Sequence, residues 1–103
     1  MPVSWTEPAL DDLDGIKAYI AKDSPPYARR FIERVFDAAE QLDGFPELGR
    51  MVPEAGYQAH IREVLFQNYR IIYLNQGGGV NILAVIHGSR DLANLPGKPW
   101  EVG

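Results

Sequence analysis

Glu63, Arg70, His87 and Arg90 lie in one stretch, 61–90, of this 103-residue chain. A carboxylate and an imidazole can move protons, and two guanidiniums can steady negative charge. The set could therefore do metal-free acid–base work on an anion, or simply grip one. Each residue also has a plainer role. Arg70 and Glu63 are expected on the same sheet face, diagonally across a hairpin, either as a structural ion pair or with Arg70 open to a carboxylate or phosphate. His87 ends a strand before Gly88 and reads as a neutral histidine hydrogen-bonded to backbone. Arg90 follows a pliable Gly-Ser and has no apolar neighbour to explain it, which points to contact with a partner. Arg50 is either a surface arginine or a second such contact. Trp100 either docks the tail on the sheet or anchors a partner. Arg62 reads as structural, at the sheet edge.

The elements that must position these groups are strands. Ile61–Phe66, Tyr69–Leu74 and Val80–His87 are rich in β-branched and aromatic residues, as antiparallel strands require. Gln67-Asn68 makes a two-residue turn that pairs Phe66 with Tyr69. Asn75–Gly79, with three consecutive glycines able to take positive φ, makes a five-residue loop that pairs Leu74 with Val80. Counting from those pairs puts Arg62, Val64, Phe66, Tyr69, Ile71, Tyr73, Asn81, Leu83, Val85 and His87 on one face. Ile61, Glu63, Leu65, Arg70, Ile72, Leu74, Val80, Ile82, Ala84 and Ile86 fall on the other. Both faces are mostly apolar, so both expect cover.

One cover is helical. Leu10, Leu13, Ile16 and Ile20, with Ala9 and Tyr19 alongside, recur at helical spacing from Glu7, with Thr6 as cap and Pro8 in the first turn. Gly15 interrupts that helix and suggests a close backbone approach. Asp23-Ser24-Pro25-Pro26 then ends one helix and opens another, whose stripe is Ala28, Phe31, Ile32, Val35, Phe36, Ala39 and Leu42. Gly44 is placed for a left-handed C-cap, with Phe45 folding back on the last turn and Pro46 blocking continuation. The two helices make an antiparallel pair for one sheet face. Tyr19, Phe31, Phe36, Tyr69 and Tyr73 read as core. Val3–Thr6 reads as an edge strand, 46–59 as a surface connection, and the tail after Arg90 as non-helical. The chain is then one α+β domain, βααβββ, with a helical hairpin packed on one face of a small antiparallel sheet.

Composition narrows the function. There is no cysteine, and His60 and His87 stand 27 residues apart, so no metal motif is present and nothing asks for a cofactor. No apolar run is long enough to span a membrane and no signal peptide is visible, which makes the cytosol the expected compartment. The net charge of −4 argues against bulk binding to nucleic acid. Residues 1–48 carry ten acids against five bases, and residues 49–103 four acids against five bases. An acidic partner should meet the sheet half.

Several local signatures, in order and spacing, resemble the RelE/ParE toxins of type II toxin–antitoxin modules. They are Ala9-Leu10-Asp11-Asp12-Leu13 to Tyr19-Ile20-Ala21, Phe45-Pro46-Glu47-Leu48-Gly49-Arg50, Val52-Pro53-Glu54, Arg62-Glu63, Tyr69-Arg70-Ile71-Ile72-Tyr73 and His87-Gly88-Ser89-Arg90. The resemblance spans nearly the whole chain. It implies a small cytosolic toxin neutralised by an antitoxin, which lays an extended or helical segment across it and would cover apolar surface that the helices leave open.

The resemblance also implies two candidate targets, which fold cannot separate. RelE-type members cut messenger RNA on the ribosome with basic and acid–base residues. ParE-type members poison DNA gyrase. Arg70 and Arg90 match functional arginines of the nucleases, but Ile61 and Glu63 stand at their lysine positions and the tail lacks a tyrosine. If the chain is a nuclease, its catalytic candidates are Glu63, Arg70, His87 and Arg90. The reading favoured here is a ParE-like gyrase poison, without a catalytic set, held by a ParD-like antitoxin through Arg50, Glu63, Arg70, His87, Arg90 and Trp100. A ribosome-dependent messenger-RNA endonuclease and a non-toxic antitoxin-binding module are the alternatives.

Overall fold

The computed structural model describes residues 2–101. Strand β1 (Val3–Trp5) leads into helix α1 (Glu7–Ala21) and helix α2 (Pro25–Glu40). Strands β2 (Arg50–Met51), β3 (Ile61–Phe66), β4 (Tyr69–Gln76) and β5 (Gly79–His87) follow, with 3-10 turns at Gln41–Asp43, Pro53–Ala55 and Leu92–Asn94. The helix starts are capped as their sequences require. Thr6 Oγ1 accepts from Ala9 N–H and Ser24 Oγ from Tyr27 N–H, both at 3.3 Å, with a proline in each first turn.

The α+β class and the helical hairpin on one face stand as expected, but the sheet is mixed and has five strands, in the order β1-β5-β4-β3-β2. β1 runs parallel to β5, and the connection read as structureless contributes β2, antiparallel to β3. The first hairpin pairs Phe66 with Tyr69 as counted. The second is tighter than counted: Gln76 pairs with Gly79 around Gly77-Gly78, and of the three glycines only Gly77 has positive φ.

A bulge then corrects the facing of β5. Ile72 pairs with Ala84 and Tyr73 with Ile82, leaving Leu83 as the extra residue. Val80 and Ile82 consequently turn to the helices, and Leu83 turns away from them. The helix-side core joins Ala9, Leu13, Phe31, Val35, Ala39 and Leu42 to Ile71, Tyr73, Val80, Ile82 and Val85.

The opposite face has its own cover. Val52 and Ala55 from the connection and Leu92 from the tail pack on Ile61, Ile72, Leu83, Ala84 and Ile86, with Leu95 and Trp100 at the margin. The expectation that a partner must complete this face is corrected: the two segments without hydrophobic period, one around β2 and one after β5, supply the cover. Trp100 takes the tail-docking role.

Smaller expectations change too. Leu10, Tyr19 and Phe36 are exposed; the Tyr19 ring lies 5.9 Å from Lys22 Nζ and Phe36 packs on Trp5, so neither is a core residue. Gly15 has no neighbour near the place of a Cβ, so no close approach explains it. Gly44 is right-handed, at φ −87°, because a 3-10 turn extends α2 and brings Gly44 N–H to Gln41 C=O. Phe45 therefore points outward, 69% exposed.

Candidate functional site: an ion-pair cleft beside His87

β2, β3 and β4 bring Arg50, Glu63 and Arg70 together on the sheet face opposite the helices, because Arg50 pairs with Glu63 and Glu63 with Ile72, one row over from Arg70. Glu63 is buried, with no exposed side-chain surface. Its Oε1 accepts from Arg70 Nε at 2.5 Å and its Oε2 from Arg50 Nε at 2.7 Å. Arg70 in turn donates Nη1 and Nη2 to the Glu54 carboxylate at 2.9 and 2.7 Å, a bidentate pair. Glu54 sits in the Pro53–Ala55 turn, which the left-handed Gly56 closes through its N–H to Pro53 C=O.

The hydrogen bonds to Arg70 hold the Glu54 carboxyl below its usual range, against a smaller opposing effect of burial. The same Glu54 bonds push the Arg70 guanidinium further up, with Glu63 adding to the effect. Two arginines thus meet two carboxylates and the cluster is neutral. Of the pair of readings for Arg70, the geometry favours the structural one: its Nε and both Nη atoms are engaged within the chain. Arg50 differs: it reaches Glu63 through Nε, with 59% of its side chain exposed. Arg62 does the structural work expected, donating to Ala59 C=O and Gly49 C=O at 2.9 Å each.

A cleft of about 390 Å³ opens over this cluster, lined among others by Arg50, Glu54, Leu65, Tyr69, Arg70 and His87. Ser89 N–H donates to His87 Nδ1 at 3.1 Å, and Ser89 Oγ lies 2.7 Å from the same nitrogen. A backbone N–H can only donate, so Nδ1 is the acceptor and Nε2 carries the ring proton. The His87 and Tyr69 rings also meet nearly perpendicular, with centroids 5.2 Å apart. Burial raises the Tyr69 phenol, with Tyr19 and Tyr27 adding to it, so that hydroxyl is a donor and not a base near neutrality.

Arg90 lies one step away. A second cleft, of about 270 Å³, runs between α1 and the end of β5 and is lined by Asp12, Tyr19, Tyr69, His87 and Arg90. Asp12 Oδ2 accepts from Val85 N–H at 3.0 Å, closing β5 beyond the short β1. Burial raises the Asp12 carboxyl, partly opposed by that bond and by the charge of Arg90. The structure thus joins Arg50, Arg70 and His87 around one cleft with Glu63 buried behind its arginines, sets Arg90 in the neighbouring cleft, and sends Trp100 to the core on the sheet face opposite the helices. Glu54, Tyr69 and Ser89 were missed as site residues. Only the Val-Pro-Glu sequence, with proline opening a turn, hinted at Glu54. Among the described residues no cluster of histidine and carboxylates could hold a metal ion.

The fold and cleft define a small two-helix, mixed-sheet domain that displays arginines around an internally neutralised ion-pair network. The family profile described as the ParE toxin of the type II toxin–antitoxin system parDE matches residues 3–92. Toxin RelE2 of Caulobacter vibrioides is 38% identical over 89 residues, covering 85% of this chain and 96% of its own. Protein Y4kP of Sinorhizobium fredii is 36% identical over 86 residues, 82% of this chain and 85% of its own. In a solved structure, the chromosomal ParDE system from P. aeruginosa, one chain superposes with a TM-score of 0.70 at 20% identity, covering 84% of this chain and 95% of that one, and so shares the fold. The chain belongs to the ParE toxin family of type II toxin–antitoxin systems.

Proposed function

We propose that this toxin acts by poisoning DNA gyrase in the cytosol and is held inactive by a ParD-like antitoxin, as part of a plasmid-stabilising module. One observation carries the choice of target: Arg70, the cation at the centre of the cleft that an RNA-cleaving site would need, is spent inside the protein. Arg70 is tied to Glu63 and Glu54, and Arg50 shares Glu63. A neutral cluster supplies little stabilisation to a phosphate gaining charge in a transition state. His87 adds to this, since its hydrogen bonds leave Nε2 as a donor rather than a base.

The antitoxin segment suited to this surface is acidic and amphipathic. Arg50, His87 and Arg90 would meet its carboxylates, and exposed Leu65 beside Arg50 would meet its apolar side. Glu63 and Arg70 would hold the wall against which it lies, and Trp100 would hold the tail that shields the apolar remainder of the same sheet face.

A ribosome-dependent messenger-RNA endonuclease is the second reading, favoured by the presence of His87, Ser89, Tyr69 and Arg50 around one cleft. Expression without antitoxin separates the two. Trapped gyrase cleavage complexes with a DNA-damage response are the expected result. Translation arrest with cut transcripts would overturn it in favour of the nuclease, and unimpaired growth would leave only an antitoxin-binding module.

A further inference from the structure

The turn after α2 displays two large apolar side chains on a rigid mount. Phe45 is 69% exposed and Leu48 53% exposed. Their backbone is held from beneath: the buried Tyr73 hydroxyl donates to Pro46 C=O at 2.8 Å and accepts from Gly49 N–H at 3.0 Å. Gly49 packs so closely that a Cβ there would lie 2.5 Å from Glu63 C=O. Phe45 N–H to Gln41 C=O and Leu48 N–H to Phe45 C=O, both at 3.0 Å, complete the turn. A segment pinned at both ends cannot collapse inward to bury these side chains, so their exposure is a fixed property of the folded state.

Two shallow hollows flank the pair. One, of about 420 Å³, is lined by Glu40, Asp43, Phe45 and Leu48. The other, of about 390 Å³, adds Glu47. No lysine or arginine lines either, and the last turn of α2 carries no basic residue to offset its negative end. The geometry points to a docking site for a basic segment of a protein partner that inserts an apolar anchor between Phe45 and Leu48 and sets lysine or arginine against Glu40 and Glu47. A second copy of the chain would bring like charges together across a symmetric contact, and nucleic acid would be repelled. This surface shares no lining residue with the arginine cleft, so a partner here is distinct from an acidic segment bound there.

The test needs neither antitoxin nor gyrase, so its outcome is independent of the proposed target. Isotope-labelled full-length protein is titrated with two short synthetic peptides of identical apolar pattern, one with arginine and one with glutamate at every polar position, and amide shifts are followed. The arginine peptide is expected to give saturable shifts confined to residues 40–49. Phe45→Ser with Leu48→Ser should abolish them, and Glu40→Gln with Glu47→Gln should weaken binding about tenfold at low salt. The glutamine pair touches only exposed carboxylates, so it decides the matter even if the serine pair perturbs the fold. Equal binding of both peptides, shifts spread over the acids of α1 instead, or self-association of the free chain through the same residues would each overturn the proposal.

Discussion

Glu63 and Arg70 form the buried centre of this toxin: Oε1 accepts from Nε at 2.5 Å, and the carboxylate has no exposed surface. The pair is the middle of a chain of charges running from Arg50 through Glu63 and Arg70 to Glu54. It ties the turn that covers one sheet face to the two strands beneath it.

Removing one member of a buried pair strands its partner's charge, which typically costs about 3–5 kcal/mol. Glu63→Ala should therefore lower the unfolding free energy by roughly that amount, since two arginines lose their shared acceptor. Arg70→Ala should also destabilise strongly. Arg90→Ala, at the exposed chain surface, should change stability by no more than about 0.5 kcal/mol while reducing antitoxin affinity. Urea titration and antitoxin binding on the three variants separate fold from contact.

The acid limb of the stability curve should carry the mark of Glu54. Its carboxyl is held below the ordinary value of 4.5, so its contribution is complete above that value and is lost as pH falls through the depressed one. Asp12 works in the opposite sense. Its carboxyl is raised above 3.8 by burial, so the folded state holds that proton more tightly and its contribution declines as pH rises through the same acid region. Glu54→Gln should flatten the loss of stability below pH 4.5, and Asp12→Asn should steepen it. Thermal melts across an acid pH series read both.

The Tyr73 hydroxyl bridges Pro46 C=O and Gly49 N–H from inside the helix-side core. Tyr73→Phe keeps the ring and leaves those two backbone groups without their partner, at a cost of about 1–3 kcal/mol. Amide exchange should accelerate first at Gly49, before any global loosening. Gly49→Ala should be worse than Tyr73→Phe, because its Cβ meets backbone at 2.5 Å rather than a side chain that can move.

Trp100 lies against the opposite-face cluster with Leu95. Trp100→Ala should cost about 1–2 kcal/mol from the apolar area returned to water and should raise binding of an apolar dye to the face over Ile72 and Ala84. If the tail were instead only an anchor for a partner, the isolated variant would melt like the parent.

Local order was legible in the residues themselves. Thr6 and Ser24 announce their helices by a capping oxygen, the α2 stripe repeats every three or four residues, and Gln67-Asn68 fixes the pairing of Phe66 with Tyr69, because each signal acts over only a few positions. The meeting of Glu63 with Arg70 was legible for the same reason, since strand register follows from the turn between them.

Contacts made across the fold were decided elsewhere. The extra residue at Leu83 is absorbed where β5 must satisfy both a tight two-residue turn and the strand beside it, and it reverses the facing of Val80 and Ile82. Glu54 reaches Arg70, and Leu92 and Trp100 reach the sheet, from segments with no period, whose positions are set by what they can bury and pair with once the sheet exists. Sequence alone settled that the sheet is apolar on both sides; only the folded chain determined that its own loop and tail close the second one, because docking a periodless segment is a long-range balance of burial and charge rather than a property of neighbouring residues.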